Sequence, residues 1–127
     1  MKAIGIGLAA VAVALLATVW WQGIAAPAGL LYGTGTEAAE AAYCLAVAER
    51  ISEITGGRGD ARLEAHLDEQ VEFWRPRAGT RPGAGRVALA RGSSAPGVNE
   101  GAYLHLAVQD CALRAVGFYG HRFAGFE

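Results

Sequence analysis

From Ala3 to Trp21 the chain is an unbroken run of apolar and small residues, and Lys2 is the only charged side chain among the first 36. A run of ~18 or more apolar residues can span a bilayer, whereas the apolar centre of a secretory signal holds ~7–15. Either way the run is set apart from the domain that follows and directs that domain across a membrane.

Two fates are open to the run. Gly23 and Ala25 offer the small residues that a signal peptidase needs for cleavage after Ala25, while cleavage after Ala26 would leave Pro27 first. The length of the run favours a retained anchor. So do Trp20-Trp21, placed as an interfacial aromatic belt would be, and the uncharged continuation through Leu30-Leu31-Tyr32. No basic residue follows until Arg50, so the positive-inside rule puts the N-terminus in the cytoplasm. The expected organisation is an anchor or signal over 1–26, a linker over 27–36 and an extracytoplasmic domain over 37–127. A composition rich in Ala, Gly and Arg with a single Lys resembles that of bacterial chains from GC-rich genomes. The expected location is the inner membrane with the domain in the periplasm, or the periplasm or exterior after cleavage.

About 100 residues remain after the run, enough for one small domain that is marginal on core burial alone. Cys44 and Cys111 are its two cysteines. In an oxidising compartment their pairing would close most of the domain into one loop and add roughly 4 kcal/mol, less any strain. Neither belongs to a Cys-x-x-Cys pair or neighbours a basic residue in sequence, so a structural bridge is expected rather than a redox site.

The periodicity predicts an all-α domain of three helices. The first spans Glu37–Thr55, capped by Thr36, with Ala41, Cys44, Leu45, Ala48, Ile51 and Ile54 as its apolar stripe and Gly56-Gly57 as its stop. The second is capped by Asp60 and runs to about Arg75, with Leu63, Leu67, Val71 and Trp74 inward and Pro76 ending it. The third follows Asn99 and runs to about Val116, with Tyr103, Leu104, Ala107, Val108, Cys111 and Val116 as candidate core positions. A Cys44–Cys111 bridge would bolt the first helix to the third.

Between the second and third helices, Pro76–Val98 holds three of the four prolines and reads as a long irregular loop whose only apolar patch is Val87-Ala88-Leu89-Ala90. A loop of this length is functional or disordered. Charge is divided sharply around it. Glu37–Glu72 carries nine acids and three arginines, whereas Phe73–Asn99 carries Arg75, Arg77, Arg81, Arg86 and Arg91 and no acid. This basic arm fits an anionic surface (lipid headgroups, cell-wall polymer or an acidic protein face), and it equally fits the chain's own acidic helices. Nucleic acid is excluded by the compartment. Phe73 is the freer neighbour of the core residue Trp74. Tyr119, Phe123 and Phe126 belong to an aromatic tail that either folds back on the core or docks a partner. The candidate partner-binding set is therefore Phe73, Arg75, Arg77, Arg81, Arg86, Arg91, Tyr119, Phe123 and Phe126.

No catalytic, metal or cofactor pattern stands out. His66, His105 and His121 lack the paired spacing of a metal site, and His105 and Asp110 do not share a helix face. Ser93-Ser94 has no nucleophile-elbow context, and Glu49 with Glu53, like Asp68 with Glu72, suits a solvated helix face. Arg58-Gly59-Asp60 spells an integrin-binding tripeptide, but Asp60 already has a local task as a helix cap. The expected function is non-enzymatic and without cofactor: a membrane-tethered extracytoplasmic interaction protein, such as an accessory subunit of a bacterial envelope complex, or a cleaved, soluble periplasmic binding module.

Overall fold

The computed structural model describes residues 2–23 and 35–124, with the side chains of the first helix described over 5–18. The proposed cut after Ala25, most of the 27–36 linker, the side chains of Trp20 and Trp21, and Phe126 lie outside the described residues. The first helix, α1, is Lys2–Gly23. Each of its described side chains, including Ile6, Leu8, Val11 and Leu16, is exposed. Among the described residues no helix is long and apolar enough to cross a membrane.

The domain is all helical: α2 (Glu37–Thr55), α3 (Ala61–Trp74) with a 3-10 turn at Arg75–Arg77, α4 (Gly83–Ser93) and α5 (Glu100–Tyr119). Three helices begin on the caps expected of them. Thr36, Asp60 and Asn99 accept hydrogen bonds from the backbone N–H groups of Ala39, Leu63 and Ala102, which satisfies donors that a helix start leaves without partners. Gly56 and Gly120 close α2 and α5 in the left-handed region. α5 continues through Gly117 to Tyr119, beyond the expected end near Val116.

α2 is the axle. Residues 40–48 are buried without a break, because neighbours cover it on every side. α5 runs antiparallel to it, joined by the Cys44–Cys111 disulfide (Cα–Cα 5.7 Å) and by the ion pairs Glu40–Arg114 and Arg50–Glu100. α3 descends another side and ends at the start of α2, where Ala38 lies against Gly79. The expected bridge between the first and last helices of the domain is thus present.

The three-helix expectation is corrected to four, because Pro76–Val98 is not a loop. It contains α4, an 11-residue helix that packs along α2. Its glycines are contacts rather than breakers. A Cβ on Gly85 would overlap the Ala42 carbonyl, and one on Gly92 would overlap the Tyr103 hydroxyl. Each helical glycine forgoes about 1 kcal/mol of propensity, which close backbone packing offsets here. Leu89 lies between them on the same face and is buried. α4 covers the side of α2 that the sequence left to solvent, so Ala42, Tyr43, Ala46 and Val47 join the core. Ile54, assigned to the stripe, is 48 % exposed beyond the end of that cover.

Candidate interaction surface

The start of α2, the end of α3, the 3-10 turn, the start of α4 and the end of α5 meet at one end of the bundle. This end gathers most of the aromatics and arginines singled out in the sequence. Phe73 is not free. It is 7 % exposed and packs edge-on against Trp74 and Tyr119, with centroids 4.7 and 5.5 Å away. The Arg77 guanidinium lies over its outer face at 3.8 Å, donates to the Phe73 carbonyl at 2.6 Å and reaches the Tyr119 ring at 5.4 Å. Trp74 is wholly buried, its indole N–H donating to Gln70 Oε1 at 3.0 Å. The Gln70 amide in turn donates to the Val108 carbonyl and contacts His66 Nε2, so this buried polar group is well partnered.

The tail folds back on the core. Phe123 is buried between His66 and His121, at 4.9 and 4.6 Å. Glu69 clasps the segment by accepting from His121 Nε2 at 3.1 Å and from the Ala124 N–H at 3.2 Å. Phe73 and Phe123 are therefore core residues in this structure, and Tyr119 is half-buried. Among the described residues Phe118 is the aromatic left outward at this end, 39 % exposed, with the Arg114 guanidinium 4.0 Å above its ring.

Arg114 also donates to Glu40 Oε1 at 2.8 Å. Glu40 is fully buried, and its other oxygen has no partner among the described residues. Burial pushes the Glu40 carboxyl above its ordinary range, and the Arg114 hydrogen bond and charge oppose that rise. Burial likewise raises the Tyr119 phenol, with Glu37 and Glu40 adding to the effect. Sequence reasoning missed this pair. Glu40 lies in the first turn of α2, and nothing in its spacing announced that α5 would bury it.

The basic arm is divided. Glu49 is half-buried and takes Arg86 at 2.8 Å and Arg75 at 3.7 Å, so part of the arm does lie on the chain's own acids. Arg77 is held by aromatics. Arg81 and Arg91 are exposed and engage no acidic side chain among the described residues. Arg91 points from the far end of α4, so the five arginines do not form one patch.

Two of the shallow grooves among the described residues bear on the candidate sites. One of about 360 Å³ lies between α2, α4 and the start of α5, lined by Glu49, Arg50, Glu53, Arg86 and Ser93 among others. Its walls are ion pairs at solvent-exposed positions, Arg50 meeting Glu100 at 2.9 Å and Glu53 at 3.4 Å. The other, about 280 Å³, lies between α2 and α3 beside Glu64 and Asp68. His105 and Asp110 line neither; both face outward from α5. Asp60 caps α3 from an exposed loop. Among the described residues no three His, Cys, Asp or Glu side chains converge as a metal-binding set. Comparison with known proteins finds no matching family, no similar curated protein and no similar solved structure.

Proposed function

We propose that this is a membrane-tethered interaction protein whose disulfide-stapled helical domain lies outside the cytoplasm and acts by binding, as an accessory subunit of an envelope complex. The reading rests on one observation. An apolar helix stands beside a domain that buries its own core and leaves every described side chain of that helix uncovered. Exposed apolar surface of this extent seeks lipid or a partner. A covalent bridge between two wholly buried cysteines suits an oxidising compartment. On the far side of α5 from the core, Leu106 and Leu113 are 61 % and 69 % exposed, two turns apart on one face. They are the side chains through which α5 would meet a partner protein. A second reading, a soluble periplasmic binding module released by cleavage after Ala25, is supported by the small residues at Gly23 and Ala25.

Intact mass of the protein isolated from its host, with and without reductant, separates these readings. The tether predicts an uncut chain two mass units lighter before reduction and a stoichiometric partner in mild detergent. A mature chain that begins at Ala26 and runs as a free monomer would overturn it in favour of the second reading.

A further inference from the structure

We infer that the end of the bundle at which α2 begins is a docking surface for anionic lipid headgroups, with Arg81 and Arg77 as its phosphate contacts. The inference rests on the tether proposed above. Residues 24–36 separate α1 from α2, so the first turn of α2 cannot stand more than about 45 Å from the end of α1. The chain from α1 enters the bundle at this end, so of the two ends this one lies on average nearer the surface in which α1 would sit.

The fold brings the arm's arginines to that end. Gly79 lies 3.4 Å from Ala38, reckoned from the position a Cβ would take, and Ala78 is buried beside it. The segment from Arg77 to Arg81 is thereby pinned against the first turn of α2. Arg77 is exposed yet held in place by its bond to the Phe73 carbonyl and by the Phe73 ring. A preoriented guanidinium suits phosphate, which it can grip with two parallel N–H groups. Arg81 projects from the same segment with no acidic partner among the described residues. Arg75 and Arg86 both reach the carboxylate of Glu49, and Glu53 also stands near Arg86, so these two arginines are compensated by the chain's own acids. Glu40 does not subtract from this balance, since Arg114 neutralises it inside the core. Among the described residues Glu37, on the first turn of α2, and Glu72, near the end of α3, are the exposed carboxylates of this end, so Arg77 and Arg81 would act as local phosphate contacts rather than through a net positive charge. Phe118 adds an outward aromatic ring of the kind that settles among headgroups. A basic residue close to an anionic leaflet strengthens attachment roughly fivefold, an effect that fades over a Debye length of ~8 Å at physiological salt.

The test uses the full chain in nanodiscs of phosphatidylcholine, alone or with phosphatidylglycerol added, and follows amide hydrogen exchange. Incorporation into phosphatidylcholine discs reports on the tether by itself, and a chain that does not enter them refutes the tether and this inference with it. For an incorporated chain, exchange over residues 78–85 is expected to slow several-fold when phosphatidylglycerol is present and to recover at high salt. Arg81→Glu is expected to abolish the slowing, whereas Arg91→Glu, at the other end of α4, leaves it intact. Equal exchange in the two lipids, or slowing that survives Arg81→Glu, overturns the headgroup assignment while leaving the tether standing.

Discussion

Arg114 on α5 reaches across to Glu40 on α2 and holds, at 2.8 Å, a carboxylate with no exposed surface. A buried pair of this kind contributes little relative to an apolar replacement, but breaking it is costly because one charge is left uncompensated. Arg114→Met is expected to lower unfolding stability by about 3 kcal/mol. The double change Glu40→Leu with Arg114→Met should recover more than half of that loss. Urea denaturation of the two variants gives both numbers, and additive losses would show that the pair is not coupled.

The same carboxyl sets a pH dependence. Its folded-state pKa is raised above the ordinary 4.5, chiefly by burial, so the folded protein holds this proton more tightly than the unfolded chain does. The resulting stabilisation is complete below the unfolded value and is lost as pH rises through the folded one. Stability of the wild type relative to Glu40→Gln should therefore decline as pH rises from the acid range toward neutrality. A difference that grows with pH would show that the ion pair with Arg114 outweighs burial.

Gly85 decides whether α4 can seat. Alanine in place of a helical glycine ordinarily stabilises, but here the new methyl meets the Ala42 backbone, which cannot rotate away. Gly85→Ala is expected to cost about 2–3 kcal/mol. Gly92→Ala meets only the tip of Tyr103 and disturbs its 2.9 Å hydrogen bond to Tyr43, a loss of about 1 kcal/mol. Thermal or chemical melts of the two variants should rank them in that order.

The tail clasp should open locally. Phe123→Ala removes the ring held between His66 and His121 and is expected to bring the Ala124 amide to the unprotected exchange rate. Amides of Leu45 and Val47, deep in α2, should keep their protection, because low-energy openings are confined to units with few contacts of their own. Equal loss of protection in α2 would make the tail part of the global core.

The Cys44–Cys111 bridge should resist reductant while the domain is folded, since both sulfurs are buried. Mass labelling of thiols is expected only after denaturation. Replacement of both cysteines by alanine should cost roughly 4 kcal/mol on the chain-entropy estimate.

The three helices that begin on Thr36, Asp60 and Asn99 were legible because a cap, an apolar period and a stop occur together in each. The disulfide was legible because two cysteines sat on apolar faces of two such helices. α4 was not, because Gly83, Gly85 and Gly92 carry the same letters whether they end a helix or let it approach another backbone. Only the position of Ala42 distinguishes the two. That one omission explains the misplaced exposure of Ala42, Tyr43 and Ala46, since an all-round buried helix has no stripe to read. Phe73 was placed outward for a related reason. Its cover comes from Tyr119 and the returning tail, which are remote in sequence, and from Arg77, which folds back over the ring from the 3-10 turn. Of the basic arm, Arg75 and Arg86 found the acidic helix that the charge division had offered as one of two fates, while Arg81 and Arg91 did not.

The continuous burial of residues 40–48 also fixes how this domain can drift over evolutionary time. In an ordinary surface helix, tolerated replacements recur every three or four positions. Along this stretch a saturation scan would find a plateau of intolerance with no such rhythm, bounded by permissive positions near Glu37 and Ile54. The segment Glu-Ala-Ala-Tyr-Cys-Leu-Ala-Val-Ala would then act as a fingerprint in remote homologues whose outer helices have changed beyond alignment.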